Sequence, residues 1–282
     1  MSKSKIKPTY YIGQFIVLVF GIIMIYPLIW MFMSTFKESH TIFHTVGELI
    51  PRNWVWENYI NGWRGFSGVT FGRFFLNSAI LAVSGTIGAV MSASLVAYSF
   101  ARGEYRLRRP FFVVMLATLM LPGQVLMIPQ YLWFNTIGWV GSYMPLIIPA
   151  FFGGGGFFIF LIYSFIGGIP RELDEAAKID GCSFYGIYAK VILPLTVPAM
   201  ITSAIFSFIW RWDDFLGPLL YVQRLVQFPA SLALRMFADP MAATDWGAVF
   251  AMSILSLVPA VTIFIFLQKY LVEGISTSGL KG

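Results

Sequence analysis

The sequence has few charged residues: Asp, Glu, Lys and Arg make up 11% of its 282 positions, while hydrophobic residues make up 58%. An ordinary soluble domain carries about 25% charged residues, so this chain lacks the polar surface that a water-soluble fold needs. The composition excludes a soluble single-core enzyme and indicates one membrane domain. The single cysteine, Cys182, leaves no partner for an intrachain disulfide.

The sequence also lacks the common motifs for catalysis and nucleotide binding. It contains no G-x-x-x-x-G-K-[ST] loop, no G-x-S-x-G, no C-x-x-C and no H-E-x-x-H. His40 and His44 are spaced like a metal pair on a helix, but no third ligand is evident, so we interpret them as solvated loop histidines. We therefore expect no enzyme activity, no metal site and no cofactor in this chain.

Long stretches free of ionisable residues predict membrane-spanning helices, because a bilayer core needs about 20 apolar residues per helix. Glycine, proline and polar residues divide these stretches into six parts. The predicted spans are residues 10–33, 75–100, 110–133, 143–166, 191–210 and 246–268. We expect an all-α integral membrane protein in which residues 1–282 form a single transmembrane domain.

The distribution of Lys and Arg predicts the orientation of the spans. With the N-terminus in the cytosol, segments 1–9, 101–109, 167–190 and 269–282 hold 12 basic residues in 56 positions, against seven in the 85 positions of the opposite loops. Cytoplasmic loops of membrane proteins carry this excess. The pattern predicts that both termini are cytosolic, and it accounts for the net charge of +6 without a nucleic-acid partner.

The interior of the predicted spans contains no charged side chain. A carrier driven by protons or ions normally keeps an intramembrane acid, arginine or histidine for its coupling. A secondary carrier is therefore the less favoured class of transporter.

Four consecutive glycines, Gly153–Gly156, interrupt the fourth predicted span. Each weakens a helix by roughly 1 kcal/mol. Two interpretations stay open: an unwound segment whose Gly154 and Gly155 line a polar path, or a tight crossing of two helices.

The predicted cytosolic loop 169–198 has signals for two short helices. Glu172, Asp174 and Glu175 place negative charge in the first turns, where the helix dipole favours it. Gly181 ends this helix, and Ser183 can cap a second one. Two short helices that meet at a glycine would form a bent knob for a partner protein, with a helix pair on the lipid interface as the alternative.

Two small residues, Ala176 and Ala177, are expected to share one face of the first helix with Leu173 and Asp180, which would let a partner approach closely. The second helix is expected to end before Pro194.

The loop resembles that of a known family. Glu175-Ala-Ala-x-x-Asp-Gly181 and the later Leu193-Pro194-Leu-x-x-Pro198 are similar to the EAA loop of ABC importer permeases, in the form found in the sugar importers (carbohydrate uptake type 1, MalG-like). Further matches cover most of the chain: Ser34-x-Phe36-Lys37, Asn77-Ser78, Leu121-Pro122-x-Gln124 and Trp212-Asp213-Asp214-Phe215-x-x-Pro218.

The resemblance implies the type I ABC importer permease fold and a place in the bacterial cytoplasmic (inner) membrane. It implies a heterodimer with a second permease, two ATPase subunits that bind ATP and Mg, and an external solute-binding protein. The implied function is to form the path for a sugar or oligosaccharide. A permease for a peptide, an amino acid or a metal is the alternative, since such importers share the loop.

The resemblance also implies site residues. Coupling to the ATPase is assigned to Glu172, Glu175, Ala176, Ala177, Asp180, Gly181, Leu193 and Pro194. The C-terminal tail is expected to reach between the ATPase subunits, with contacts from Gly274, Ser276, Gly279 and Lys281. Residues 219–244 are assigned as a loop that probes the binding protein, with Gln223, Arg224 and Asp239 as its contact residues. An ordinary surface loop is the alternative.

Arg211 lies at the end of the fifth predicted span, where lipid contact would cost several kcal/mol. The flanking Trp210 and Trp212 would stack on sugar rings, and the guanidinium would bind a carboxylate in bidentate fashion. This suggests an oligosaccharide, and more specifically an acidic one built from uronic acids. The substrate path is assigned to residues 210–214 together with the two glycines of the fourth span: Trp210, Arg211, Trp212, Asp213, Asp214, Gly154 and Gly155. The alternative is that Arg211 pairs with Asp213 or Asp214, or reaches the lipid headgroups.

Overall fold

The computed structural model describes the backbone of residues 8–238 and 244–279, and the side chains of residues 11, 13–238 and 244–271. These residues form helices joined by turns, and no strand occurs among them apart from one isolated bridge between Phe66 and Val69. The helices are α1 (Pro8–Ser34), α2 (Glu57–Arg64), α3 (Phe71–Arg102), α4 (Arg108–Leu119), α5 (Gly123–Thr136), α6 (Met144–Ile147), α7 (Gly156–Gly167), α8 (Glu172–Ile179), α9 (Phe184–Ile187), α10 (Leu193–Leu195), α11 (Val197–Trp212), α12 (Leu216–Tyr221), α13 (Ala230–Phe237) and α14 (Trp246–Gly279). The all-α prediction is confirmed.

Four segments are long and apolar enough to cross a membrane: Gly13–Ser34, Phe71–Arg102, Met144–Gly167 and Trp246–Leu271. Two further helix pairs pass the same test but are sharply bent, so the number of candidate spans is four, or up to six if each bent pair counts as one.

The third predicted span, 110–133, is not one straight helix. α4 ends at Leu119, α5 begins at Gly123, and their axes differ by 105°. Pro122 accounts for the break, because its ring disfavours a helical conformation at Leu121 and it has no N–H to donate. The apolar composition continues through the bend, so the sequence pattern did not predict it.

The fifth predicted span, 191–210, is also bent. Its helix pair, Phe184–Leu195 and Val197–Trp212, changes direction by 73° at Thr196. The second helix of the EAA loop was expected to end before Pro194. This was wrong, because the helix continues through Pro194 to Leu195. A π turn over Tyr188–Ile192 widens the backbone just ahead of Pro194, which relieves the usual clash of a proline ring inside a helix.

The glycine run in the fourth predicted span is both unwound and tightly packed. A 3₁₀ turn ends at Phe151, α7 begins at Gly156, and Gly153, Gly154 and Gly155 all have positive φ. Gly154 lies so close to α3 that a Cβ atom there would overlap the carbonyl oxygen of Ala89. The break and the close helix crossing therefore occur together.

We expect Gly154→Ala to lower the melting temperature of the detergent-purified protein by several degrees more than Gly153→Ala does. Both replacements put a side chain at positive φ, which costs about 1 kcal/mol. Only Gly154→Ala also meets the backbone of α3, because a Cβ at Gly153 has nothing within 4 Å, and overpacking adds about 1–3 kcal/mol. Equal melting temperatures for the two variants would contradict the tight crossing.

The described residues form two compact units, one within residues 1–71 and 234–257 and the other within residues 72–233 and 258–282. In the first unit, Phe36 packs against Trp54 and Trp56, with ring centroids 5.2 and 4.8 Å apart. The buried Lys37 ammonium donates to the carbonyl oxygen of Thr45 at 3.1 Å.

The second unit has a core of small, aliphatic and aromatic side chains, most of them from α3 and α7, with others from α4, α8, α9 and α11. Ala89, Ala93 and Ala97 of α3 are fully buried in it, and their four-residue spacing is typical of the small-residue face along which membrane helices pack. This unit carries both candidate sites described next.

Candidate coupling element and polar cavity

The coupling knob, residues 172–187, has the bent form that the sequence predicted. α8 ends at Ile179, and Gly181 has a φ of +82°, a conformation that glycine adopts without strain. The hydroxyl oxygen of Ser183 accepts a hydrogen bond from the backbone N–H of Gly186 at 3.2 Å. The predicted stop at Gly181 and cap at Ser183 are confirmed.

The exposed apex of the coupling knob is apolar. Ile179 is 87% exposed and Tyr185 is 76% exposed. Apolar side chains this exposed are candidates for contact with a partner protein or with the lipid interface. Sequence reasoning missed both residues, although an isoleucine immediately before a helix stop in a polar loop was an available signal.

The assigned coupling residues do not all lie at the surface. Ala177 is only 7% exposed and packs into the core, so the expected shared face with Ala176 was wrong. The inward face instead consists of Asp174 and Ala177, three residues apart on one side of the helix. The other assigned residues are exposed or half-buried: Glu172, Glu175, Ala176, Asp180, Gly181, Leu193 and Pro194.

Polar contacts attach the coupling knob to the end of α3. The Nε atom of Arg102 lies 2.5 Å from Oδ2 of Asp174, and its Nη2 donates to the carbonyl oxygen of Ile169 at 2.7 Å. The hydroxyl of Tyr98 donates to the carbonyl oxygen of Phe184 at 3.0 Å. From the sequence, Asp174 was expected only to interact with the dipole of its own helix. Arg102 was counted only among the basic residues that predict the orientation of the spans in the membrane.

A second candidate site, the polar cavity, has a volume of about 390 Å³. Its polar lining residues come from α5, from the end of α11, from the turn that follows α11 and from α12: Gln124, Gln130, Arg211, Asp214 and Tyr221. Sequence reasoning found Arg211 and Asp214 but missed the other three. The Leu-Pro-x-Gln motif at residues 121–124 was the available signal, because a proline-broken helix exposes polar groups where it restarts.

Arg211 is held by neutral partners. Its Nη1 donates to the carbonyl oxygen of Leu146 at 3.0 Å, and its Nε lies 3.4 Å from the hydroxyl of Ser207. The guanidinium packs over Gly85 of α3, where a Cβ would overlap it. No ion pair of Arg211 with Asp213 or Asp214 occurs within residues 8–238 and 244–279.

Asp214 shares the polar cavity with Arg211. Its Oδ1 accepts a hydrogen bond from the backbone N–H of Gly217 at 3.1 Å. Burial raises the pKa of the Asp214 carboxyl above its ordinary value, and the Gly217 hydrogen bond and the Arg211 charge partly oppose that rise. Asp214 is therefore easier to neutralise than a solvated aspartate.

The two tryptophans beside Arg211 do not flank it at the cavity, contrary to expectation. Trp212 is 4% exposed and stacks on Phe208 with ring centroids 5.5 Å apart. Trp210 packs near Phe157, with centroids 5.2 Å apart. Residues two apart on a helix point about 200° apart, so one guanidinium cannot have both rings as neighbours on one side.

Other residues assigned to the substrate path lie outside the polar cavity. Asp213 is exposed, and the described lining of the polar cavity includes neither it nor Gly154 and Gly155. Pro149 and Ala150, from the 3₁₀ turn ahead of the glycines, line it instead.

The loop proposed to probe the binding protein is partly ordered as α12 and α13. Gln223 and Arg224 are exposed in the turn after α12, and Asp239 lies outside the described residues. The Nδ2 atom of Asn77 in α3 anchors this segment by donating to the carbonyl oxygens of Val226 and Phe228 at 2.8 and 3.0 Å. The contact gives a structural reason for the Asn77-Ser78 motif.

The tail lies partly within α14. The backbone of Gly274, Ser276 and Gly279 is helical, while their side-chain environments and Lys281 lie outside the described residues.

Comparison with known proteins identifies membrane components of transport systems as relatives of this chain. A family model described as "Binding-protein-dependent transport system inner membrane component" matches residues 89–277. The chain is 34% identical to the probable ABC transporter permease protein YurM of Bacillus subtilis, over 99% of this chain and 93% of that protein. It is 33% identical to the trehalose/maltose transport system permease protein MalG of Thermococcus litoralis, over 93% of each chain.

A solved structure shares the fold. It is a chain from a bacterial ABC transporter involved in the import of the acidic polysaccharide alginate, with a TM-score of 0.82, 21% identity, and coverage of 96% of this chain and 98% of that one.

Proposed function

Since the chain belongs to the family of binding-protein-dependent transport system inner membrane components, we propose that it is the permease subunit of an ABC importer for a sugar or oligosaccharide. The observation that carries this proposal is the agreement between the exposed coupling knob, with apolar side chains at its apex, and a family match that spans it. The similarity to a trehalose/maltose permease supports a carbohydrate as the cargo.

In this proposal the chain forms half of the translocation path and performs no chemistry. A second permease would complete the path, two ATPase subunits would bind ATP and Mg and receive the coupling knob, and an external binding protein would deliver the sugar. ATP-driven closure of the ATPase pair would displace the knob and shift the spans between inward- and outward-facing states. Six spans with both termini in the cytosol, each bent pair counting as one, fit this arrangement.

Two further segments take supporting roles in the proposal. The tail with Gly274, Ser276, Gly279 and Lys281 reaches toward the ATPase subunits. The exposed turn with Gln223 and Arg224, together with Asp239, faces the binding protein.

Reconstitution into liposomes with the partner permease, the ATPase subunits and the binding protein tests the proposal. We expect uptake of a neutral or acidic oligosaccharide that requires both ATP and the binding protein, and no uptake of a peptide, an amino acid or a metal ion. An ATPase subunit that lacks its phosphate-binding lysine serves as the control. Sugar uptake without ATP would indicate a secondary carrier, and ATP-driven uptake of a peptide alone would overturn the carbohydrate assignment.

A further inference from the structure

The coupling knob is a small element with strong polar attachment to one helix. α8 has only eight residues, too few to hold a stable position by itself. The side chains of Arg102 and Asp174, at the contact with α3, are only 7% and 11% exposed. The knob is therefore fixed to the end of α3 by a buried ion pair.

Arg102 and Asp174 each compensate the buried charge of the other. Two buried atoms of this contact, Oδ1 of Asp174 and Nε of Arg102, have no hydrogen-bond partner in the described part of the chain, so the close approach of Nε to Oδ2 is an ionic contact. Arg102 thus supplies the charge that compensates this carboxylate. Removing one member of a buried pair leaves the other uncompensated, whereas surface pairs contribute little.

α3 is the continuous element of the second unit. It runs unbroken from Phe71 to Arg102 without an internal proline, whereas the segments corresponding to the third, fourth and fifth predicted spans are interrupted. Seventeen residues before Arg102, about 26 Å along the helix, Gly85 lies under the guanidinium of Arg211. One helix therefore contacts the knob at its end and a cavity-lining side chain farther along.

We propose that Arg102 and Asp174 are positioning residues that lock the coupling knob to α3, so that α3 carries a displacement of the knob to the polar cavity as one rigid rod. This inference rests on the proposed function, because it needs an ATPase that moves the knob. The element that changes position is α3 together with the knob. The knob is its contact with the ATPase, and Gly85 is its contact with Arg211 at the polar cavity.

Arg102→Met and Asp174→Asn, each in the reconstituted importer, test the inference. We expect complex assembly, basal ATP hydrolysis and the KM for ATP to be retained. The number of sugar molecules transported per ATP should fall about tenfold or more. Arg102→Lys should restore part of this ratio, because it keeps the charge. An unchanged ratio in both variants would overturn the inference.

Ile179→Asp, made in parallel, separates this inference from the proposed function. If Ile179→Asp abolishes stimulated hydrolysis while Arg102→Met and Asp174→Asn transport normally, the rod is wrong and the importer assignment stands. If all three variants behave as wild type, the coupling role of the knob itself is wrong.

A distance measurement keeps the inference testable if Arg102→Met fails to fold. Spin labels on Lys178→Cys in the knob and Met91→Cys in α3, in a Cys182→Ser background, report their separation. We expect one narrow distance with and without ATP, and a broadened distribution once Asp174→Asn is added. The rigid connection would be overturned if the distance distribution stays narrow with Asp174→Asn. It would also be overturned if ATP shifts the distance in the protein that keeps Asp174.

Discussion

Replacing Ile179 with aspartate is expected to abolish ATP hydrolysis stimulated by the loaded binding protein while leaving membrane insertion intact. Ile179 is 87% exposed at the apex of the coupling knob, so the substitution disturbs no internal packing. Burying an isoleucine against a partner stabilises a complex by roughly 1.5–3 kcal/mol, and an aspartate there would have to be desolvated without a partner. The measurement is ATPase activity of the reconstituted complex with and without binding protein.

Ile179→Leu is the matched control, because it keeps the apolar contact and should retain stimulated hydrolysis. Gly181→Pro should match Ile179→Asp for a different reason: proline fixes φ near −65°, whereas Gly181 has a φ of +82°. Glu175→Lys, which reverses an exposed charge on the knob, should also abolish stimulation. Full stimulated activity in Ile179→Asp and Gly181→Pro would exclude the knob as the docking site.

Replacing Arg211 with glutamine is expected to reduce uptake of an acidic oligosaccharide by about tenfold or more, since a hydrogen bond to a charged group contributes about 1.5–3 kcal/mol. Uptake of a neutral oligosaccharide of the same length should change much less. Glutamine is shorter than arginine and does not reach the carbonyl oxygen of Leu146, so the substitution removes the charge together with this one hydrogen bond. Arg235→Gln, at an exposed arginine outside the described lining of the polar cavity, is the control.

The pH dependence of uptake gives an independent check. The pKa of Asp214 is raised by burial, so lowering the pH toward it removes the negative charge while Arg211 stays positive. The ratio of acidic to neutral uptake should therefore increase as the pH falls, and Asp214→Asn should remove this increase. Equal loss of both substrates in Arg211→Gln, or no loss of either, would leave no case for acidic selectivity.

The spans and the coupling knob were predictable because they depend on local chemistry. Uninterrupted apolar runs can be satisfied only by helices in lipid, and Gly181 and Ser183 act through their own backbone geometry and short-range hydrogen bonds. The bends at Pro122 and Thr196 were missed because hydropathy averages over the residue that breaks the helix.

The sequence by itself determined the all-helical membrane architecture, the bent knob of residues 172–187 and the family to which the chain belongs. Only the tertiary structure decided which side chains meet. It placed Ala177 and Trp212 in the core, paired Arg102 with Asp174, 72 positions later in the chain, and brought Gln124 and Gln130 to the same cavity as Arg211. The physical reason is that these contacts join residues far apart in sequence, and the direction of each side chain is set by how the helices pack, which no local pattern specifies.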